Sequence, residues 1–231
     1  MIPATPILLP GNMCDHRLWT DAVRAVLPGA VDANTAQDAT IDALAERALA
    51  GTDGMVLPVG FSMGGIVALA MARLAPDRVA GLVLLDTNAG ADLPGRAAAR
   101  PAQQAAVRAG ELERIVVEEL KPNYLAAASR RDARLLALLR DMALDLGEDV
   151  FVAQSEALRT RPDQRDVVRS IDAPMLVACG EEDRLCPPDW HRDLAASARH
   201  ATLHIVPGAG HMLPLEQPGQ LANLIAQWRE A

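Results

Sequence analysis

Short apolar runs recur along the chain, and stretches with helical periodicity separate them. The runs lie at 6–10, 31–33, 55–59, 82–86, 175–179 and 202–206, and each has the length of a strand that is covered on both faces. Helical spacing of apolar residues predicts helices at 19–27, 41–49, 65–75, 188–198 and 218–229. Strands that alternate with helices predict an α/β fold, with a mostly parallel sheet flanked by helices.

The alternation stops between the strand at 82–86 and the strand at 175–179. The intervening stretch is rich in Ala, Arg and Glu, and its apolar residues recur at helical intervals, as at Leu135, Leu138, Leu139 and Met142. We therefore expect an all-helical cap inserted between two strands of the core. Residues 1–88 and 171–231 would form the two parts of the core, and residues 89–170 the cap.

Pro58 lies inside the apolar run at 55–59, which should be a central strand. Proline has no N–H to donate to a neighbouring strand, so it is unfavourable in the middle of a sheet. We expect a distorted strand end at this residue.

Composition and charge exclude several classes of protein. Half of the 231 residues are hydrophobic, which is typical of a globular domain, and the formal net charge is −8. The basic residues form only short pairs such as Arg130-Arg131, which argues against nucleic acid or an anionic membrane as a partner. No apolar run approaches the roughly 18 residues that a membrane-spanning helix needs.

The N-terminus and the cysteines bear on localisation. Residues 1–6 have no basic segment followed by an apolar helix, so we expect no signal peptide. Three cysteines do not make a disulfide framework, and a buried, inert thiol is the expectation for Cys14. Both observations predict a cytoplasmic protein.

The segment 60–64 has the pattern Gly-x-Ser-x-Gly and joins a predicted strand to a predicted helix. In this setting the serine lies on a sharp turn that exposes its hydroxyl above the sheet, and the glycines avoid crowding of strand and helix. Ser62 is therefore a candidate nucleophile. The alternative is an ordinary helix N-cap serine.

Two further candidates follow in the order of a catalytic triad. Asp183 lies in an acidic loop after the strand at 175–179, and His211 lies in a glycine-rich loop after the strand at 202–206. Their positions beyond the carboxyl ends of strands favour one shared site, in which His211 acts as the base and Asp183 orients it. Alternatives stay open for the acid, namely Glu181 and Glu182 in the same loop and Asp86 at the end of another strand.

The other histidines are weaker candidates. His191 and His200 lie on or beside a polar helix and are expected at the surface, whereas His204 lies within a strand. His16 is the only other candidate for a site. For His211 itself, the alternative is an ordinary histidine in a glycine-rich turn.

Acyl transfer needs two donors for the oxyanion that forms on the substrate. The backbone N–H of Met63 follows the nucleophile, and that of Asn12 belongs to the loop after the first strand. The alternative for this loop is an ordinary Pro-Gly turn. No cluster of His, Cys and carboxylates has metal-ligand spacing, and no phosphate-binding Gly-rich loop occurs, so we expect neither a metal nor a cofactor.

Across essentially its whole length the chain resembles the α/β-hydrolase superfamily. The stretches that carry the resemblance are 7–11 with Trp19, 59–65, 76–79, 82–87, 174–187, 210–211 and 215–218. The chain is similar to the esterase, enol-lactonase and acyl-carrier methyl-esterase branches. It departs from them at Pro10-Gly11, where His-Gly is usual, and in lacking two N-terminal antiparallel strands of larger members. Serine at position 62 argues against the branches with a carboxylate nucleophile.

The resemblance and the candidate triad together predict a serine hydrolase that cleaves small carboxylic esters through an acyl-enzyme. A lactonase, a thioesterase, a perhydrolase or a C–C hydrolase with the same triad, and a non-catalytic ligand-binding protein on this fold, stay open as alternatives. Only 3% of the residues are aromatic, so we expect a pocket under the cap lined mainly by Leu, Val, Met and Ala. The sequence gives no prediction of oligomeric state.

Overall fold

The computed structural model describes residues 4–231. Residues 1–3, part of the stretch from which the lack of a signal peptide is predicted, lie outside the described residues. The strands are β1 (Thr5–Leu9), β2 (Val31–Asp32), β3 (Val56–Phe61), β4 (Leu82–Leu85), β5 (Met175–Gly180) and β6 (Ala201–Val206). They form one sheet in the order β2-β1-β3-β4-β5-β6, and every described pair is parallel. The predicted α/β fold with a mostly parallel sheet is thereby confirmed.

Ten α-helices are assigned in the described part of the chain. They are α1 (Asp21–Ala25), α2 (Ile41–Ala50), α3 (Met63–Leu74), α4 (Pro94–Ala106), α5 (Leu112–Arg114), α6 (Ala133–Arg159), α7 (Arg165–Ser170), α8 (Pro188–Ser197), α9 (Leu213–Glu216) and α10 (Pro218–Glu230). Short 3-10 turns occur at His16–Leu18, Pro76–Arg78 and Lys121–Asn123, and π-helical turns at Val107–Glu111 and Ile115–Leu120. Helix α6 is interrupted at Gly147, whose φ of 82° is not helical.

Both faces of the sheet are apolar, because successive strand residues enter different cores. In β4, Leu82 and Leu84 pack in the cluster with α2, α3, α7 and α8, whereas Val83 and Leu85 pack in the cluster with α1, α9 and α10. A strand that is covered on both faces needs apolar side chains at every position. This is why the strands are visible in the sequence as continuous apolar runs.

Residues 89–170 contain helices and turns and no strand, as the helical spacing predicts. A separate apolar cluster lies here, with Val107, Ile115 and Phe151 among its members, and Met13 from the loop after β1 inserts into it. The last helix of the segment, α7, packs against α3 and α8 beside the sheet. The division of the chain into core and cap stays a prediction.

Pro58 lies in the interior of β3, so the prediction of a strand end at this residue is wrong. The sheet accommodates it through an interruption on the β4 side. Val56 pairs with Val79 and Val59 pairs with Val83, so three steps along β3 are matched by four steps in the neighbouring segment. The extra residue opens the ladder beside Pro58, where no N–H is then needed.

None of the helices in residues 4–231 combines the length with the apolar character that crossing a membrane requires.

Candidate active site

Ser62 lies on the turn between β3 and α3 with a strained backbone. Its φ of 52° and ψ of −113° are unusual for a residue with a side chain. The flanking glycines make this turn possible. A Cβ on Gly64 would lie 1.9 Å from the Leu9 carbonyl oxygen, and one on Gly60 would lie 2.4 Å from the Gly64 oxygen. The predicted strand-turn-helix setting of Ser62 is therefore present.

The structure brings Ser62, His211 and Asp183 together from three separate loops. The Ser62 Oγ lies 3.0 Å from the His211 Nε2, and the His211 Nδ1 lies 2.9 Å from the Asp183 Oδ2. A carboxylate can only accept a hydrogen bond, so the proton of the neutral ring belongs on Nδ1. The Nε2 atom is then free to accept a hydrogen bond from the Ser62 hydroxyl.

Asp183 is fixed on its other side by the backbone of its own loop. Its Oδ1 accepts hydrogen bonds from the N–H groups of Leu185, at 2.8 Å, and Cys186, at 2.9 Å. The side chain is buried, as is that of His211. Of the rivals in this loop, Glu181 is exposed and Glu182 accepts a hydrogen bond from the Ala127 N–H. Only Asp183 is paired with His211.

Asp86, the other rival for the acid, is fully buried at the end of β4. Its Oδ1 accepts a hydrogen bond from the Gly180 N–H at 2.9 Å, and its φ is 46°. The next helix, α4, begins only at Pro94, so Asp86 does not cap a helix. Burial raises the pKa of this carboxyl well above its usual value, and the negative charge of Asp183 raises it further.

His191 is fully buried, so the expectation of a surface residue is wrong. Its Nε2 accepts a hydrogen bond from the Thr87 N–H at 2.9 Å, and its Nδ1 lies 3.2 Å from the Pro187 carbonyl oxygen. Burial lowers the pKa of His191 to about 4, which keeps the ring neutral. The Thr87 hydroxyl in turn donates to the Ser62 carbonyl oxygen at 2.7 Å. His16 and His200 are exposed.

The two proposed oxyanion donors both line the cavity beside Ser62. The backbone N–H groups of Asn12 and Met63 have no acceptor among the described residues 4–231. The loop after β1 can lie close to Phe61 because residue 11 is a glycine. A Cβ at Gly11 would lie 2.7 Å from the Phe61 ring. The arrangement leaves two free donors next to the serine.

Gln154 was not singled out by the sequence, yet it fixes this loop from α6. Its buried side chain accepts hydrogen bonds from the Met13 N–H at 2.8 Å and from the Asn12 Nδ2 at 3.1 Å. It also donates to the Thr35 carbonyl oxygen at 3.0 Å. A glutamine in a long amphipathic helix gives no local signal of such a role, because its partners lie more than 100 residues away.

Glu216 plays a similar part in the loop that holds His211. Its carboxylate accepts hydrogen bonds from the N–H groups of Gly210 and Ala126, both at 2.8 Å. The His211 N–H donates to the Tyr124 carbonyl oxygen at 2.7 Å. The histidine is thus tied both to α9 and to the helical segment before α6.

A cavity of about 400 Å³ opens beside the Ser62 side chain. Half of its lining residues are polar or charged, and four of them are arginines, namely Arg96, Arg100, Arg161 and Arg184. The prediction of a wall made mainly of Leu, Val, Met and Ala is therefore wrong. Two of the chain's few aromatic residues, Phe61 and Tyr124, also line the cavity and flank the His211 ring.

Within residues 4–231, one group of side chains has metal-ligand spacing. The potential ligand atoms of Asp183, Cys186 and His211 all lie within 4.8 Å of one another. Both ring nitrogens of His211 are already engaged by Asp183 and Ser62. Burial raises the pKa of the Cys186 thiol, and that of Cys14 to about 12, so both thiols are held protonated.

The fold and the sharp turn that carries Ser62 between β3 and α3 define a hydrolase of the α/β type. A family model described as the alpha/beta hydrolase family matches residues 7–224, and the chain belongs to this family. An esterase of Mycobacterium tuberculosis is 28% identical over an alignment of 233 positions that covers 96% of this chain and 73% of that protein. A pimeloyl-[acyl-carrier protein] methyl ester esterase of Neisseria meningitidis is 28% identical and covers 80% of this chain and 73% of its own length.

Solved structures show the same fold. A thermophilic esterase from Thermogutta terrifontis, solved with malate bound, superimposes with a TM-score of 0.90 at 27% identity and covers 99% of this chain and 90% of its own. The enol-lactonase from Burkholderia xenovorans has a TM-score of 0.87 at 21% identity, covering 99% of this chain and 92% of its own, and is similar in fold. The predicted resemblance to the α/β-hydrolase superfamily is confirmed.

Proposed function

We propose that the protein is a serine hydrolase of carboxylic esters, with Ser62, His211 and Asp183 as its catalytic triad. The observation that carries this proposal is the unbroken chain of hydrogen bonds from the Ser62 Oγ through His211 to Asp183, at 3.0 and 2.9 Å. A serine hydroxyl is a weak nucleophile unless a positioned base takes its proton. The geometry supports His211 as that base.

In the first half of the reaction, the Ser62 Oγ attacks the ester carbonyl carbon while its proton moves to the His211 Nε2. The carbonyl electron pair moves onto oxygen, and the N–H groups of Asn12 and Met63 stabilise this oxyanion. Asp183 stabilises the imidazolium that forms. The tetrahedral intermediate then collapses, and the departing alcohol takes the proton from Nε2 and leaves an acyl-enzyme.

In the second half, a water molecule attacks the acyl carbon while its proton moves to the same Nε2 atom. The second tetrahedral intermediate uses the same two oxyanion donors. Its collapse returns the proton to the Ser62 Oγ and releases the carboxylic acid. One ester and one water thus give one acid and one alcohol, and the triad is restored.

The esterases among the relatives support this reaction class for the chain. A lactonase, a thioesterase or a perhydrolase would use the same triad. A panel of esters, lactones and thioesters, compared by kcat/KM, separates these substrates. Tight binding of a ligand without any turnover would favour the non-catalytic alternative.

Replacement of the nucleophile tests the proposal directly. Ser62→Ala should lower kcat for a p-nitrophenyl ester by about 10⁶-fold, as loss of the nucleophile does in a serine protease. The matched control is Ser170→Ala, since the Ser170 hydroxyl is exposed and bonds only to the Val167 carbonyl oxygen. A fluorophosphonate probe should label the wild type at Ser62 and leave Ser62→Ala unlabelled. Activity of Ser62→Ala above a tenth of the wild-type value would overturn the assignment.

A further inference from the structure

Arginine side chains gather around the cavity beside Ser62, and ester cleavage itself does not use them. Arg96, Arg100, Arg161 and Arg184 all line this cavity. The whole chain carries a formal net charge of −8, so the concentration of positive charge is a local feature. A cleft lined by charges of one sign attracts ligands of the opposite sign.

Helix α4 contributes a polar stripe to this wall. Arg96, Arg100 and Gln103 follow one another at intervals of four and three residues, and such intervals place side chains on one face of a helix. Ala99, on the same face, also lines the cavity and occupies little space. The helix therefore turns its cationic face toward the site.

Among the four arginines, Arg161 is held in place by Asp92 and by backbone carbonyl oxygens. The buried Asp92 carboxylate accepts hydrogen bonds from the Arg100 Nε at 2.6 Å and the Arg161 Nη1 at 2.9 Å. Arg161 also donates to the carbonyl oxygens of Gly90, at 3.0 Å, and Leu158, at 3.2 Å. One carboxylate thus faces two guanidinium groups, which leaves an excess of one positive charge.

The remaining guanidinium groups keep most of their donors free. Arg184 is exposed and has no side-chain hydrogen bond or ion pair with any residue of the described range 4–231. Arg96 uses one N–H, which donates to the Leu185 carbonyl oxygen at 3.0 Å, and Arg100 uses the N–H directed to Asp92. A guanidinium group has five N–H donors, so all three arginines can bind a further acceptor.

Glu119 is the carboxylate among the residues that line the cavity, and it forms no ion pair with Arg96, Arg100 or Arg184. Its Oε2 accepts a hydrogen bond from the Gln103 Nε2 at 2.9 Å, and its Oε1 is paired with Arg114 at the same distance. Arg114 is not among the residues that line the cavity. Arg96 and Arg184 both line the cavity, and neither forms an ion pair with a residue of the described range 4–231.

We infer that the ester substrate carries an anionic group, a carboxylate or a phosphate, which binds Arg96, Arg100 and Arg184 while its ester carbonyl lies at Ser62. Guanidinium groups bind both kinds of oxyanion with paired, charge-assisted hydrogen bonds. This inference rests on the proposed esterase function and adds the class of substrate to it.

The test compares monomethyl and dimethyl esters of the same acids, for which we choose succinate, glutarate and adipate. The monomethyl ester should have the higher kcat/KM, by about tenfold or more. This factor corresponds to the free energy of one charge-assisted hydrogen bond between its carboxylate and an arginine. The diester has two cleavable groups, so the comparison is biased against this result. An equal or lower kcat/KM for all three monomethyl esters would overturn the inference.

Single substitutions then locate the anion site. Arg96→Gln and Arg184→Gln should each lower the ratio of kcat/KM between monomethyl and dimethyl ester by about tenfold. Arg108→Gln is the matched control, because Arg108 is an exposed arginine of the same helical segment and does not line the cavity. Its ratio should equal that of the wild type. A ratio that neither Arg96→Gln nor Arg184→Gln changes would refute the arginine site.

Binding to the Ser62→Ala protein, measured by calorimetry, separates this inference from the proposed function. Monomethyl adipate should bind more tightly than dimethyl adipate, and addition of Arg184→Gln should remove the difference. This result stands even if the wild type hydrolyses no ester, in which case only the proposed reaction fails. Equal binding of the two adipates would overturn the inference. Displacement of monomethyl adipate by inorganic phosphate would indicate a phosphate-bearing substrate, and no displacement a carboxylate-bearing one.

Discussion

Gln154 offers a sharp test of how the helical segment supports the loop that carries Asn12. The change we consider is Gln154→Met, which keeps the length of the side chain but removes all three of its hydrogen bonds. In the folded protein the Met13 N–H and the Thr35 carbonyl would then lose their partners, and both residues are buried, at 4% and 5% exposure. An unsatisfied buried polar group costs about 1–3 kcal/mol. The free energy of unfolding should fall by about 3 kcal/mol.

The same change should also affect the reaction. Without Gln154, the backbone of Asn12 and Met13 is no longer tied to α6, and the Asn12 N–H loses its fixed direction toward the oxyanion. Loss of a whole oxyanion donor costs about 10²–10³ in kcat, so a misplaced donor should cost about tenfold or more. The KM should change little, because the oxyanion forms only after substrate has bound.

Gln104→Met is the matched control for this experiment. Gln104 is a buried glutamine of α4, but its long hydrogen bonds, at 3.3 and 3.4 Å, go only to Ser155 and Glu156 within the helical segment. Chemical denaturation should show a smaller loss of stability, of about 1 kcal/mol, and kcat should stay at the wild-type value. If Gln154→Met folds and retains full kcat, Gln154 does not position the oxyanion loop.

Two further predictions concern the residues around the triad. Asp183→Asn should lower kcat by orders of magnitude at an unchanged unfolding midpoint, since the amide favours the wrong tautomer of His211; the corresponding loss in a serine protease is about 10⁴-fold. A kcat within tenfold of wild type would contradict this. The pKa of His191 is lowered to about 4 by burial, so the folded protein resists a proton that the unfolded chain accepts near pH 6.5. Stability should therefore be lost as the pH falls from 7 to 4, by about 3 kcal/mol relative to His191→Gln in chemical denaturation; parallel curves for the two proteins would refute it.

The sequence is most informative where the chemistry is local. The strand before Ser62, the glycines beside it and the helix after it are neighbours in the chain, so the pattern alone predicts the turn. Asp183 and His211 are predictable because each follows a buried strand of a parallel sheet. The carboxyl ends of such strands meet along one edge.

Features that depend on distant contacts could not be read from the sequence. The helix that carries His191 has a polar composition, and the hydrogen-bond partner of this buried residue, the Thr87 N–H, lies 104 residues earlier. The arginines on α4 look like a solvated face, because helical spacing does not tell which side meets a cavity. The setting of Pro58 is not predictable for a similar reason, since the interruption that accommodates it lies in the neighbouring segment between Val79 and Val83.

Asp86 and Asp183 are two buried carboxyls that each follow a strand of the sheet. The pKa of Asp86 predicts which of the two carries a negative charge. Burial and the nearby Asp183 raise the pKa of Asp86, so the folded protein holds this proton to a higher pH than the unfolded chain, in which the carboxyl ionises near pH 3.8. Its contribution to stability is therefore lost as the pH rises above that value, and Asp86→Asn should remove this loss. Near neutral pH, the asparagine oxygen can still accept the Gly180 N–H, and kcat should stay close to the wild-type value. Asp86→Ala should instead lose about 2–3 kcal/mol in chemical denaturation, because the buried N–H loses its partner. A fall in kcat of orders of magnitude for Asp86→Asn would mean that Asp86, rather than Asp183, carries the charge that the histidine needs.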